Sequence, residues 1–237
     1  MDAMLFKSEA LLLHHFRYGE NSQIVKVFTP VQGAVSLFFR PSKKHARAGL
    51  LQPLSLLDIV FWREHGKDMG TVKEIRLDHA YQNIGRDMYR GSVVLFLNEI
   101  LVKILKEGTE DPALFSFVKE WLIHYDIAEF DADAHLYFLA HLASLAGFLP
   151  DGVYSPSSPV FDLESGNFIA SRPSHPRFLE GDTASSFLGL FSVEHQHAFS
   201  AAERKVLLYA VLEYFRLHFP DFGELKSLAV LEELFRP

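Results

Sequence analysis

Five apolar, β-branched or aromatic runs occupy the first third of the chain, each short for a helix and each cut off from the next by a turn-forming group. They are ALLLHHF (10 to 16), SQIVKVFT (22 to 29), GAVSLFF (33 to 39), LSLLDIVFWRE (54 to 64) and GTVKEIRLD (70 to 78). YGEN, PVQG, a basic loop and HGKDMG stand between them. In QIVKVF and TVKEIR, Ile24 and Val27, or Val72 and Ile75, are set against lysine and arginine, as in a sheet wet on one side. Five successive strands in so short a length predict a small closed or nearly closed barrel, of the OB or SH3-like kind.

From Tyr81 the period changes to that of a helix. MYRGSVVLFLNEILVKILKEG places Val94, Leu97, Leu101, Ile104 and Leu105 on helical spacing and stops at Gly108. DPALFSFVKEWLIHYD starts with Asp111 as N-cap and Pro112 in the first turn. DADAHLYFLAHLASLAG predicts a third helix, capped by Asp131 or Asp133 and ended by Gly147. Residues 148–178 are a proline-rich loop in which VFDL and NFIA flank ESG, predicting an isolated β-hairpin. Helices resume with DTASSFLGLF, then with a run opened by Ser200 and Glu203 at capping-box spacing, then with GELKSLAVLEELF. The fold class is therefore α+β. A barrel domain over 1–82 precedes a mainly helical domain over 83–237.

The 237 residues carry a net charge of −7 and no cysteine, which excludes disulfides, thiolate catalysis and cysteine-ligated zinc. No signal-peptide pattern opens the chain and no long uncharged apolar run crosses it, so a cytoplasmic protein without a membrane span is expected. HGKDMG lacks the glycine-rich lead and the Ser or Thr of a phosphate-binding loop, and the GxSxG, HExxH and GxGxxG patterns are missing. A non-enzymatic protein without a cofactor is expected. His135 and His141 are six residues apart and cannot share a helix face at i, i+4, and His195 with His197 lacks a carboxylate cluster. Surface or boundary positions are expected for all four. Phe115, Phe117, Trp121 and Tyr125 are expected to pack the second helix, and Glu232 and Glu233 to form a solvated face.

The charge is divided unevenly. Residues 1–82 hold 11 basic and 8 acidic side chains, residues 83–237 hold 12 and 22, and no acidic residue occurs from Asn21 to Leu57. Lys26, Arg63, Lys73 and Arg76 lie on expected strands, and Arg40, Lys43, Lys44 and Arg47 lie in the loop joining two of them. Together they predict a phosphate-attracting groove on the barrel. One member of each pair Phe38/Phe39 and Phe61/Trp62 is expected to face outward as a stacking surface.

YGENSQIVKVFTPVQGAVSLFFRPSKK and LLQPLSLLDIVFWREHGKDMGTVKEI resemble the N-terminal domain of the RecO recombination mediators, with Tyr18, Gly19, Glu20, Phe28, Thr29, Gly33, Leu51, Gln52 and Pro53 at matching places. FLAHLASLAGFLPD and GELKSLAVLEEL, with Lys226, Ser227 and Leu228, are similar to later segments of that family. The resemblance implies an OB-fold domain and a helical partner-binding domain. It further implies binding of single- and double-stranded DNA, annealing without ATP, and action with RecR to load RecA on DNA coated by single-strand-binding protein, in the cytoplasm at the nucleoid. Many members carry a four-cysteine zinc site where this chain has GVYSPSSPVFDLESGNFIAS, so the hairpin is expected without the metal. The third helix opens DADAHLYF, without the Arg or Lys that would meet the acidic tail of single-strand-binding protein, so a hydrophobic groove for the tail's Phe is the expected remnant. The rival reading is an interaction scaffold whose barrel binds an acidic protein.

Overall fold

A computed structural model describes residues 3–41, 50–192 and 198–235. Five strands, β1 (Ala3–Arg17), β2 (Gln23–Thr29), β3 (Gly33–Phe39), β4 (Leu56–Glu64) and β5 (Met69–Leu77), close into a barrel in the order β1-β2-β3-β5-β4. All pairs are antiparallel except β3–β5, which is parallel. This is the strand order of an OB fold. The first strand starts seven residues earlier than the apolar run predicts. AMLFKSE is half-polar because it pairs with β4 on one edge while several of its side chains stay in solvent. One long strand thus serves both β4, through Ala3 to Leu11, and β2, through Leu11 to Arg17.

The barrel core consists of Ala10, Leu12, Val25, Val27, Val35, Leu37, Phe39, Leu50, Leu57, Ile59, Phe61 and Ile75. Ile24 is not among them. It is buried, as expected, but one residue out of phase with Val25 and Val27, so its burial lies on the outer side of the barrel sheet beside Lys26. Two bulges explain runs that do not alternate. Leu13 is the extra residue between the Leu12–Val27 and His14–Lys26 pairs, so Leu12 fills the barrel while Leu13 is buried outside it. Lys73 is the extra residue between Val60–Glu74 and Phe61–Val72, which lets Lys73 and Glu74 both reach solvent.

Helices α1 (Met88–Ile104) and α2 (Pro112–Ile127) belong to the same compact unit as the barrel, which comprises 1–130 and 225–231. The change from strand to helix near residue 82 is therefore not where the packing divides. The outward-facing Phe28 meets Phe115 of α2 with ring centroids 5.7 Å apart, and the Asn98 side chain of α1 donates to the Leu13 carbonyl at 3.0 Å. Asp111 caps the second helix as expected, accepting from the Leu114 N–H, and Asp87, which the sequence reading did not name, caps the first by accepting from the Tyr89 and Arg90 N–H groups. The connection from barrel to α1 is held by Asp126, which the sequence did not single out. Its buried carboxylate accepts backbone N–H groups of Gln82 (2.6 Å), Asn83 (2.8 Å) and Ile84 (2.8 Å). Burial would raise this carboxyl, but the three hydrogen bonds outweigh it and hold its pKa below the ordinary aspartate range. Glu99 does the same for the chain near the C-terminus. It accepts from Lys226 N–H, Ser227 N–H and the Ser227 hydroxyl at the start of α6 (Ser227–Leu234).

The second unit, 131–224 with 232–237, holds α3 (Ala134–Leu145), β6 (Val160–Asp162), β7 (Asn167–Ile169), β8 (Phe178–Glu180), α4 (Gly181–Gly189) and α5 (Ala201–His218). The hairpin is not isolated, as expected from sequence, but the middle and one edge of a three-stranded sheet, β7-β6-β8. Its third strand, FLE, is too short to show a period. The Ser200–Glu203 capping box forms in full at the start of α5. Asp133 precedes α3 but makes no cap bond. Its carboxylate is taken by Arg204 and by the Phe199 N–H.

Asp126→Ala leaves three buried or part-buried N–H groups without their acceptor and is expected to lower stability by about 3 kcal/mol or more, read from the urea midpoint. Because the folded pKa of Asp126 is depressed, its contribution is present above the unfolded pKa of about 3.9 and is lost as pH falls through the folded value. Asp126→Asn is therefore expected to flatten the acid limb of the stability profile relative to the parent chain.

Candidate nucleic-acid interface

The two aromatic pairs divide as the strand alternation predicts. Phe39 and Phe61 are in the barrel core, while Phe38 and Trp62 lie on its outer surface. Arg40, two residues beyond Phe38 on the same face, places its guanidinium carbon 5.6 Å from the Phe38 ring centroid. Tyr18, in the turn between β1 and β2, meets the same ring edge-on at 5.9 Å. Sequence reading left Tyr18 within the YGEN turn. An aromatic residue directly before the glycine of the turn was the available signal.

The predicted cations do not form one continuous free patch. Lys26 on β2 is paired with Glu107, in the segment after α1, at 2.9 Å. Arg76 on β5 is paired with Asp58, its cross-strand neighbour on β4, at 3.1 Å. Arg63, at the end of β4, donates from Nε to the Lys67 carbonyl at 3.1 Å and from Nη1 to Gln32 Oε1 at 3.4 Å. It thereby joins the β4–β5 hairpin to the β2–β3 turn beside an open pocket of about 340 Å³ that Met4 and Phe6 also line. Lys73 stands exposed in its bulge. Arg40, Arg63 and Lys73 have no carboxylate at ion-pair distance among the described residues. Lys43, Lys44 and Arg47 lie outside the described residues. Lys7 and Arg17, both exposed on β1, add positive charge that the sequence reading omitted because each stands alone between apolar runs.

Glu107 is placed by backbone pairing. Gly108 donates to the Ala34 carbonyl at 3.1 Å, and Gly33 takes a φ of +61° with its α-carbon against the backbone of Thr109. A Cβ on Gly33 would lie 2.2 Å from the Thr109 carbonyl oxygen, so only glycine fits there. The strap after α1 thus delivers a carboxylate to Lys26. An ion pair this exposed contributes no more than about 1 kcal/mol, which a phosphate can readily replace.

In the second unit His135 is fully buried on α3 rather than at the surface or boundary, and burial, with the Arg204 charge, lowers its pKa to about 3, so it is neutral. His141 is exposed as expected, and His195 and His197 lie outside the described residues. Among the described residues no group of three His, Asp or Glu side chains is arranged to hold a metal. The three-stranded sheet is packed on aromatic rings. Phe161 of β6 contacts Phe168, Phe187 and Tyr214 at centroid distances of 5.0, 5.1 and 5.9 Å. Phe115 and Tyr125 are packing residues, and Trp121 stacks on Tyr125 at 4.5 Å, as expected of that helix. Glu232 is more than a solvated acid, since it pairs with Lys205 and accepts from the Tyr209 hydroxyl.

Strand order, the outward aromatics and the cations that flank them define a protein with an OB-type barrel joined to a helical body. The family model described as "Recombination protein O N terminal" matches residues 1–81, and "Recombination protein O C terminal" matches 85–156. Curated proteins named "DNA repair protein RecO" align over 98% of this chain and the whole of their own length. They include those of Porphyromonas gingivalis strain W83 (32% identical), Phocaeicola vulgatus (31%) and Bacteroides fragilis strain YCH46 (30%). The chain belongs to the RecO family. Among the described residues no helix is long and apolar enough to cross a membrane.

Glu107→Gln removes the carboxylate that neutralises Lys26. It is expected to tighten binding of single-stranded DNA and to steepen the dependence of log affinity on log salt by up to about 0.7, one phosphate contact, in a fluorescence-anisotropy titration.

Proposed function

We propose that this protein is a recombination mediator of DNA repair whose barrel binds single- and double-stranded DNA and anneals complementary strands without ATP. On this reading it acts with RecR to load RecA on DNA coated by single-strand-binding protein, in the cytoplasm at the nucleoid, and catalyses no covalent step. The observation that carries the reading is the outer face of the barrel. Arg40 and Lys73 carry positive charge there without an acidic partner among the described residues, the Arg40 guanidinium lies against the outward ring of Phe38, and Arg63 adds charge beside the pocket that Met4 and Phe6 line. Family membership supports the same reading.

Annealing then needs only charge. Two strands repel through their phosphates, and a barrel that neutralises several phosphates on each lowers that repulsion while leaving base edges free to pair. The division of labour assigned to the chain is a DNA-binding barrel over 1–82 and partner surfaces on 83–237, where the tail of single-strand-binding protein and the RecA filament are the further candidates. Pairing of Lys26 and Arg76 with carboxylates favours one rival, a scaffold that binds an acidic protein through the same barrel.

The test is annealing of two complementary oligonucleotides without ATP. Added protein is expected to accelerate it, and no acceleration would contradict the reading. Replacing Lys43, Lys44 and Arg47 together with Ala is expected to weaken DNA binding and reduce the salt slope by about one per lost phosphate contact. If neither single-stranded DNA nor heparin binds at low salt, the scaffold reading stands in its place.

A further inference from the structure

The inward-facing row of β4 ends in a charge. Leu57, Ile59 and Phe61 fill the barrel core at every second position, and the next inward position is Arg63. Its cross-strand partner on β1 is Met4, and one step deeper Phe6 pairs with Phe61, their rings stacked at 5.2 Å. Phe6 therefore caps the core from this end. Beyond it lies the mouth of the barrel, an open cavity of about 340 Å³ between the start of β1, the β2–β3 turn and the β4–β5 hairpin. A guanidinium in line with a core needs partners for its N–H groups. The Lys67 carbonyl accepts from Nε and the Gln32 side chain from Nη1, both neutral oxygens, and Nη2 has no partner among the described residues. Glu64 and Asp68 line the same mouth, yet neither pairs with Arg63.

We propose that the barrel mouth binds a small organic acid, a single carboxylate carried on a flat apolar body. The site is separate from the outer face of the barrel and does not depend on DNA binding there. The carboxylate accepts from Arg63 Nη2. Because Nε and Nη1 are already fixed, the guanidinium is held in place before the ligand arrives, which lowers the ordering cost of binding. The apolar body lies on the Phe6 ring and the Met4 thioether, which is 63% exposed without a ligand. Charge sets the class of ligand. Arg63 and Lys67 are offset by Glu64 and Asp68, so the mouth has no net attraction for a polyanion and disfavours a second negative charge. That selects a monocarboxylate over a phosphate ester. The mouth of a β-barrel is a recurrent place for a ligand, and a cavity of about 340 Å³ is at the small end of such sites, with room for one small molecule.

The probe is a ring-fluorinated phenylacetate titrated into the full chain and followed by fluorine NMR, with its uncharged amide and the matching phenyl phosphate alongside. The acid is expected to saturate with a Kd of about a millimolar or tighter. The amide and the phosphate ester are expected to bind at least about tenfold more weakly. Arg63→Ala is expected to weaken the acid by roughly 10- to 100-fold and to leave the amide within about twofold. Since Arg63 also braces the hairpin, Met4→Glu gives a second variant at an exposed position, where the added carboxylate is expected to abolish saturation by the acid without a fall in Tm. No saturation by the acid up to about 10 mM, equal binding of acid and amide, or unchanged affinity in both variants overturns the proposal and leaves Arg63 a brace alone. Tighter binding of the phenyl phosphate than of the acid overturns it as well. Each of these results leaves DNA binding by the barrel untouched. Saturation by the acid in a protein that binds no DNA at low salt upholds the mouth and defeats the DNA reading.

Discussion

Everything on the outer face depends on closure of the barrel between β3 and β5. The contact is short, with only Ser36–Met69, Leu37–Gly70 and Phe38–Thr71 as paired positions, and it is the one parallel pairing among four antiparallel ones. Gly70 makes it possible. A Cβ there would lie 2.7 Å from the Trp62 carbonyl oxygen and 2.8 Å from a Leu37 methyl, so any side chain would force β5 away from its neighbours. With the seam closed, Phe38 and Trp62 fall on one continuous surface. Without it they would belong to two separate sheet edges, each exposing unpaired backbone groups.

A second constraint concerns where the acidic residues go. The helical part of the chain is acidic overall, but several of its carboxylates are committed to internal partners. Asp126 holds the segment that leaves the barrel, Glu99 holds the start of the last helix, and Glu107 reaches Lys26. In the second unit Asp133 is tied to Arg204 and the Phe199 N–H. The negative net charge is thus compatible with a barrel face that attracts phosphate, because the window from Asn21 to Leu57 contributes cations alone. Charge-neutral contacts finish the second unit, where Phe161, Phe187 and Tyr214 pack against one another.

Much of this was legible in the order of residues. Four of the five strands, the caps at Asp111 and Ser200, and the outward orientation of one member each of Phe38/Phe39 and Phe61/Trp62 all follow from local period and turn chemistry, while which member faces out came from the register. The losses have physical reasons. The first half of β1 was hidden because its side chains mix solvent and core, and β8 because three residues carry no period. The side on which Ile24 is buried was missed because a β-branched residue next to Val25 reads as barrel core, and only the register shows it on the outer side. Ion pairing of Lys26 with a residue 81 positions away, and the role of Asp126 at a separation of more than 40, are tertiary facts that no local pattern encodes.

On the proposed function, nucleic acid lies on the outer face of the barrel. Hydroxyl-radical footprinting of side chains, read by mass spectrometry with and without a single-stranded oligonucleotide, tests it directly, since Tyr, Trp and Met are exposed on the barrel unit and Tyr on the second unit. Oxidation of Tyr18, Trp62 and Met69 is predicted to fall on binding while that of Tyr209, exposed on the helical unit, stays unchanged. Protection of Tyr209 with Tyr18, Trp62 and Met69 still reactive would contradict the account.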